Sequence, residues 1–296
     1  MNTTINKKPL IKQGWLRVLL FCVFYFILIL FSSIPIVFVI KSMNGDITHI
    51  NELLNGQFLW LGFAVAAIAA LISVFIFRKF FDRKTLASLG FDLTGYAADA
   101  ISGFLLAVAI LGIGTIILYV SGHLQWVDIT FSGNDLFIAL GLMVIIAFYE
   151  EIVFRGYILN NLMESFNKWV ALIISAVLFA IFHIDNPSMG IIPLINIFLA
   201  GILLGMNYIY TKNLWFAILF HFGWNFFEGP LFGYKLSGFN LPSLLQTELK
   251  GDLLLTGGDF GFEGSIFDLA LTGIAILLLY WIYEKKEKAN LITVVS

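Results

Sequence analysis

The sequence predicts an all-α, polytopic membrane protein with about eight transmembrane helices, and three observations carry that prediction. Hydrophobic residues fill 60% of the 296 positions and charged residues only 12%, far from the balance of a soluble domain. Apolar stretches of the length needed to cross a hydrocarbon core, about 20 helical residues for about 30 Å, fall at 15–40, 57–77, 98–120, 135–154, 169–184, 191–210, 214–230 and 264–283. Alternating the loops between two sides leaves only Lys41, Lys235 and Lys250 opposite the N-terminus, out of 17 Lys and Arg residues. That bias places both termini in the cytoplasm of a multi-pass protein, with the plasma membrane as the expected location.

The first span follows Lys7, Lys8, Lys12 and Arg17, but its apolar run is too long for a signal peptide and no small-residue cleavage site follows, so it is expected to stay in the mature chain. It holds the single cysteine, Cys22, and no intrachain disulfide is possible. Span two ends in the cytoplasmic cluster Arg78, Lys79, Arg83 and Lys84, and span four ends at Arg155. His49 and His123 fall in outer loops, where hydration explains them. The long outer loop at about 231–263 is rich in Gly and acidic residues. A net charge of −2 with sparse, segregated charges provides no basic field for nucleic acid, which excludes it as a partner.

Charges inside a span cost about 2.5–3.5 kcal/mol each on insertion scales and need a reason. Three groups qualify: Glu150, Glu151 and Arg155 on span four, His183 near the end of span five, and His221 with Asn225 on span seven. Glu151 and Arg155 are four apart in the favourable order for a helical ion pair, a structural role. Glu150 is rotated away from that pair and is left over. His183 follows Phe179 by four, and Asn225 follows His221 by four, so each pair shares a helix face. Taken singly, each histidine is readily a packing residue or interhelical glue; together, every membrane-embedded histidine lies within the stretch that holds the odd carboxylate.

A carboxylate, two imidazoles and a carboxamide in a secluded pocket suit peptide hydrolysis, which needs a base for water and donors for the oxyanion. Glu150 is then the base, His183 orients the water, and His221 and Asn225 serve the oxyanion. No serine or cysteine nucleophile suggests itself: Cys22 is remote and Ser175 lies two turns from His183. Counting from the boundary charges puts Glu150 about 8 Å and His221 about 13 Å from the cytoplasmic side, but His183 about 22 Å, a mismatch in depth.

The motifs E-E-x-x-x-R (Glu150, Glu151, Arg155), F-x-x-x-H (Phe179, His183) and H-x-x-x-N (His221, Asn225) resemble those of the CPBP family of intramembrane proteases, the CAAX-processing and bacteriocin-processing proteins also called the Abi family. Between the last two, "FLAGILLGMNYIYTKNLWFAILFH" is similar to the family's segment with paired glycines, here Gly201 and Gly205, leading through a Thr-x-Asn-Leu turn to the histidine. Upstream, "RKTLASLGF" is like a short Leu-Gly element that precedes the core. The resemblance is specific over about 135–230. It divides the chain into N-terminal helices and tail at 1–130, a catalytic core at 131–230, and outer loop plus last helix at 231–296.

The resemblance implies a helical fold whose catalytic cavity opens within the bilayer, with Glu150 and His183 activating water and His221 and Asn225 forming the oxyanion site. It implies membrane lipid and a peptide or protein substrate, with or without a lipid attached, as partners. H-E-x-x-H spacing is absent, and the expectation is no tightly held metal. Glu150, His183 and His221 nevertheless provide the ligand types for a three-residue zinc site. The competing class is non-enzymatic: a bacteriocin-immunity or scaffold protein that keeps the fold, or a transporter, whose paired half-repeats the sequence lacks.

Overall fold

The structure, a computed structural model, describes residues 8–42, 59–130 and 132–295. Lys7 and His49 lie outside the described residues. Every predicted span is a helix: α1 Gly14–Ser42, α2 Leu59–Ile76, α3 Ala97–Val120, α4 Gly133–Glu151, α5 Lys168–Phe182, α6 Ile191–Thr211, α7 Trp215–Phe226 and α8 Ile266–Val295. Six of these reach the length and hydropathy that crossing a membrane requires. The other two fall short of the predicted lengths. Helix α5 has 15 residues and ends at His183, and α7 has 12 before it loosens into a π turn, Phe227–Leu231, around Pro230.

Local chemistry sets several of the ends. Ser132 caps α4 by accepting from the Asp135 amide, and Asn167 caps α5 by accepting from the Trp169 and Val170 amides. Lys212, in the left-handed region at φ 55°, stops α6, and the Asn213 carboxamide accepts from Trp215 N to start α7. On this turn sits the Leu-Gly element: Leu214 N donates to Gly90 O, and a Cβ at Gly90 would fall 2.3 Å from Lys212 O. Two motifs far apart in sequence therefore form one contact.

Helix α4 departs from the prediction at its far end. It does not stop near Phe154 but runs on through a π-helical stretch, Ile152–Leu159, to Leu162, so that Arg155 is an interior residue with 1% exposure. An all-helical chain was expected, and a two-stranded antiparallel sheet is present, β1 Leu124–Ile129 with β2 Leu245–Leu249. Its strands come from two loops assigned to the outer side, and on the opposite side Lys84 pairs with Glu164 and Lys168 with Glu287. Loops placed together by charge do meet.

Small residues bring the core helices together. Helix α6 lies so close to α5 that a Cβ on Gly201 would sit 2.9 Å from Ala176 Cα, and one on Gly205 would sit 2.4 Å from Leu172 Cδ1. Gly103 does the same for α3 against the Phe216 carbonyl of α7. This is the close approach that glycine permits where lipid supplies no hydrophobic drive between helices. Outward faces carry Phe38, Ile116, Phe137 and Leu277, all exposed.

Candidate active site

A cavity of about 370 Å³ opens among the core helices, and Glu150, His183, His221 and Asn225 all line it. The depth mismatch disappears because α4 continues to Leu162. Glu150 thus stands 12 residues, about 18 Å, from that end, close to the roughly 22 Å that α5 needs to raise His183.

The first helix carries the pair of glutamates at the point where α becomes π, a rearrangement that recurs at functional sites. Glu151 is fully buried. Its Oε1 accepts from Arg155 NH1 at 2.8 Å and from His221 Nδ1 at 2.8 Å. The expected Glu151–Arg155 pair is present, and it has a second use that spacing did not reveal: it holds the imidazole of another helix. Arg155 NH2 also donates to Gly201 O at 3.2 Å, and its guanidinium lies 4.5 Å from the Phe179 ring.

Phe179 acts through its carbonyl as well. His183 Nδ1 donates to Phe179 O at 2.7 Å, so the F-x-x-x-H spacing is a helical turn in which the backbone orients the ring. A carbonyl and a carboxylate are both acceptors, so Nδ1 carries hydrogen in each histidine, and each neutral ring presents a lone pair at Nε2. Those two nitrogens face one atom. His183 Nε2 is 3.6 Å and His221 Nε2 is 3.9 Å from Glu150 Oε2. Glu150 Oε1 accepts from the Tyr149 hydroxyl at 3.1 Å, while Oε2 is buried with no partner among the described residues.

The tautomer alters one expectation. A neutral His221 cannot donate to an oxyanion from Nε2; it does so only as an imidazolium, with Glu151 on its other nitrogen. Asn225 lines the cavity one turn away on the same helix. Ser175, two turns before His183, donates to Phe154 O at 3.2 Å and is buried away from the cavity.

Sequence reasoning missed Tyr149, whose hydroxyl fixes the rotamer of its neighbour, and it missed the walls. Tyr25 and Ile29 from α1, Phe63 from α2, and Leu236 and Phe239 from the outer loop complete the cavity. No motif marks them, because an apolar wall needs only bulk at the right height.

Measured against zinc, the chemistry of the donors is right, since one carboxylate and two imidazole lone pairs converge. The spacing is open: among the described residues no three His, Cys, Asp or Glu side chains are arranged to hold a metal ion. A water set beside Glu150 Oε2 and one of the imidazole nitrogens 3.6 or 3.9 Å away can give one hydrogen to each of the two.

A family model for the type II CAAX prenyl endopeptidase, Rce1-like, matches residues 132–227, which includes all four cavity-lining polar residues named above. A protein of Bacillus subtilis (strain 168) named "Putative membrane peptidase YdiL" is 30% identical over 223 residues, covering 73% of this chain and 87% of that one.

Proposed function

The chain belongs to the CPBP family of Rce1-like, CAAX-type membrane peptidases, and on that premise we propose an endopeptidase in which Glu150 activates water against an apolar, membrane-associated peptide. The observation that supports this most directly is Glu150 Oε2, unpartnered and 3.6 Å from the His183 lone pair at the cavity wall. A water in that gap gives one hydrogen to each acceptor and turns its own lone pairs to the cavity.

As that water attacks the scissile carbonyl carbon, Glu150 takes its proton and returns it to the amine nitrogen when the C–N bond breaks. His183, held by the Phe179 carbonyl, keeps the water in line. Charge develops on the carbonyl oxygen, where Asn225 Nδ2 donates. His221 is the second donor in the form that carries a proton on Nε2 as well, with Glu151 accepting from Nδ1. Arg155 donates to the same Glu151 oxygen and holds it in place.

Were zinc to bind, Glu150, His183 and His221 would hold it, and it would supply Lewis-acid activation of the water. The reading preferred here needs no metal. Elemental analysis of protein purified without a metal column separates the two: about one zinc per chain, lost on His221→Ala, would overturn the metal-free mechanism. Hydroxylamine adds a check on the nucleophile. It leaves the product distribution unchanged if water attacks directly, and it diverts product if an acyl-enzyme forms.

The substrate class that fits is an extended apolar segment; a prenylated C-terminal peptide, a bacteriocin leader and another membrane-proximal segment all meet that description. The chain is assigned to the plasma membrane with both termini cytoplasmic, through eight passes in which α5 and α7 cross with the help of the irregular segments that follow them. A reporter after Lys288 that is active only outside the cell would contradict this topology.

A further inference from the structure

The outer end of the catalytic cavity carries polar groups that the reaction above leaves unused. Asn196 on α6 is 2% exposed, and its Nδ2 donates to Glu263 O at 2.7 Å and to Ser265 O at 2.8 Å. Those two bonds use both amide hydrogens and fix the orientation of the group. Its Oδ1 is left as a buried acceptor with no partner among the described residues.

Two carboxyls stand at the same end. Glu263 accepts from Trp224 Nε1 at 2.9 Å and from the Ser237 hydroxyl, and each oxygen keeps a lone pair. Asp268, in the first turn of α8 and 3% exposed, accepts from Thr272 Oγ1 at 2.8 Å through Oδ1, and no donor serves Oδ2 among the described residues. Glu228, fully buried behind Glu263, accepts the Glu263 amide at 3.1 Å and adds a further carboxyl. Asn196, Glu263 and Asp268 all line the cavity, and among the described residues no lysine or arginine does.

An acceptor buried without a donor is costly, and Asn196 Oδ1, on the same cavity wall as the carboxyls of Glu263 and Asp268, calls for a ligand that is all donor. An anion is repelled, a hydroxyl offers one hydrogen, and a guanidinium spreads its donors in a plane. An ammonium has three hydrogens diverging from one atom and a charge opposite to the carboxyls. We infer that this end of the cavity is a subsite for a primary ammonium, carried by the substrate as a lysine side chain or as a free amino terminus. The word substrate rests on the peptidase reading; the subsite itself does not.

The test uses the full chain in detergent with n-hexylammonium as probe and hexan-1-ol and hexanoate as controls, read by thermal unfolding. Hexylammonium raises the midpoint saturably, and neither control does so at equal concentration. Asp268→Asn and Glu263→Gln each weaken that binding about tenfold or more, as expected on losing a buried charge partner. Should Glu263→Gln fail to fold, Asp268→Asn alone decides. Glu150→Gln keeps the affinity within about twofold. Equal stabilisation by hexanol would mean apolar filling only, and loss of the response in Glu150→Gln would place the cation at the catalytic carboxylate; either result overturns the subsite. Protein that binds hexylammonium yet cuts no peptide supports the subsite and counts only against the peptidase reading. Apolar peptides competing with the probe then identify the source, through loss of competition on amino-terminal acetylation or on replacing lysine by norleucine.

Discussion

Two buried carboxylates in this protein have opposite surroundings. Asp82, just beyond the end of α2, has both oxygens occupied: Oδ1 accepts from Arg17 at 2.7 Å, and Oδ2 accepts from Arg78 at 2.9 Å and from Asn161 at 3.2 Å. Glu150 has one oxygen on a tyrosine and the other without a hydrogen bond among the described residues, beside a cavity. The first arrangement ties α1, α2 and the end of the α4 helix together and has no capacity left for chemistry. The second leaves open the valence that a reactant needs. Burial of charge alone distinguishes nothing, and neither does an open acceptor, since Glu151 Oε2 and Glu228 Oε2 also lack a hydrogen-bond partner among the described residues; Glu150 differs in lining the cavity.

The sharpest way to break the comparison is to neutralise each acid without changing its shape. Glu150→Gln should retain folded yield and lose about 10²–10⁴ in turnover, the range for a general base, measured as cleavage of any identified substrate. Asp82→Asn should do the reverse. Leaving Arg17 and Arg78 without a buried counter-charge costs about 3–5 kcal/mol, seen as lower yield and unfolding midpoint, while the folded fraction keeps its specific activity.

Glu151 stands between the two types: its Oε1 accepts from Arg155 and from a histidine of the site, while its Oε2 is buried without a hydrogen-bond partner among the described residues. That dual use was not legible in the sequence. The E-E-x-x-x-R spacing reveals the i,i+4 pair, but contact with His221, 70 residues on, is a tertiary fact. The eight helix positions were legible because membrane helices are apolar on every side. The end of α4 was not, since Arg155 looks like a residue leaving the membrane until Glu151 and Phe179 are seen to surround it. Helical spacing correctly paired Phe179 with His183, while the working atom, a backbone carbonyl, carries no sequence signal. Nothing in the Gly-rich, acidic composition of the loop at 231–263 marks it as a cavity wall, yet its Leu236 and Phe239 line the cavity.

A smaller effect sharpens the catalytic side. Asn225→Ala should cost roughly 10²–10³ in kcat with little change in KM, the pattern of a donor used only in the transition state. Equal losses in binding and rate would instead make Asn225 a substrate anchor.

The smallest effect concerns Glu164, which bonds Lys84 at 2.5 Å and joins the Asp82 network through Arg17. Burial pushes its carboxyl up, but the bonds from Lys84 and Arg17 outweigh that and hold it below the usual carboxylate range. A lowered folded-state pKa means that the contribution is present above the ordinary carboxylate value, about 4.3, and is lost as pH falls through the lower one. Half exposed, the group contributes at most about 1 kcal/mol. Glu164→Gln should therefore lower the unfolding midpoint slightly near neutral pH and match the wild type in acid; a constant gap across that range would contradict the assignment.

The central claim is that the unpartnered Glu150 carboxylate makes this membrane fold a peptidase. The direct measurement compares peptide termini in membranes of cells carrying the wild-type chain, Glu150→Gln or no chain. The account predicts at least one new terminus in a membrane-associated protein with the wild type, absent from both other samples, while Glu150→Gln accumulates to the same level in the membrane. A terminus generated equally by wild type and Glu150→Gln, and missing without the chain, would contradict it.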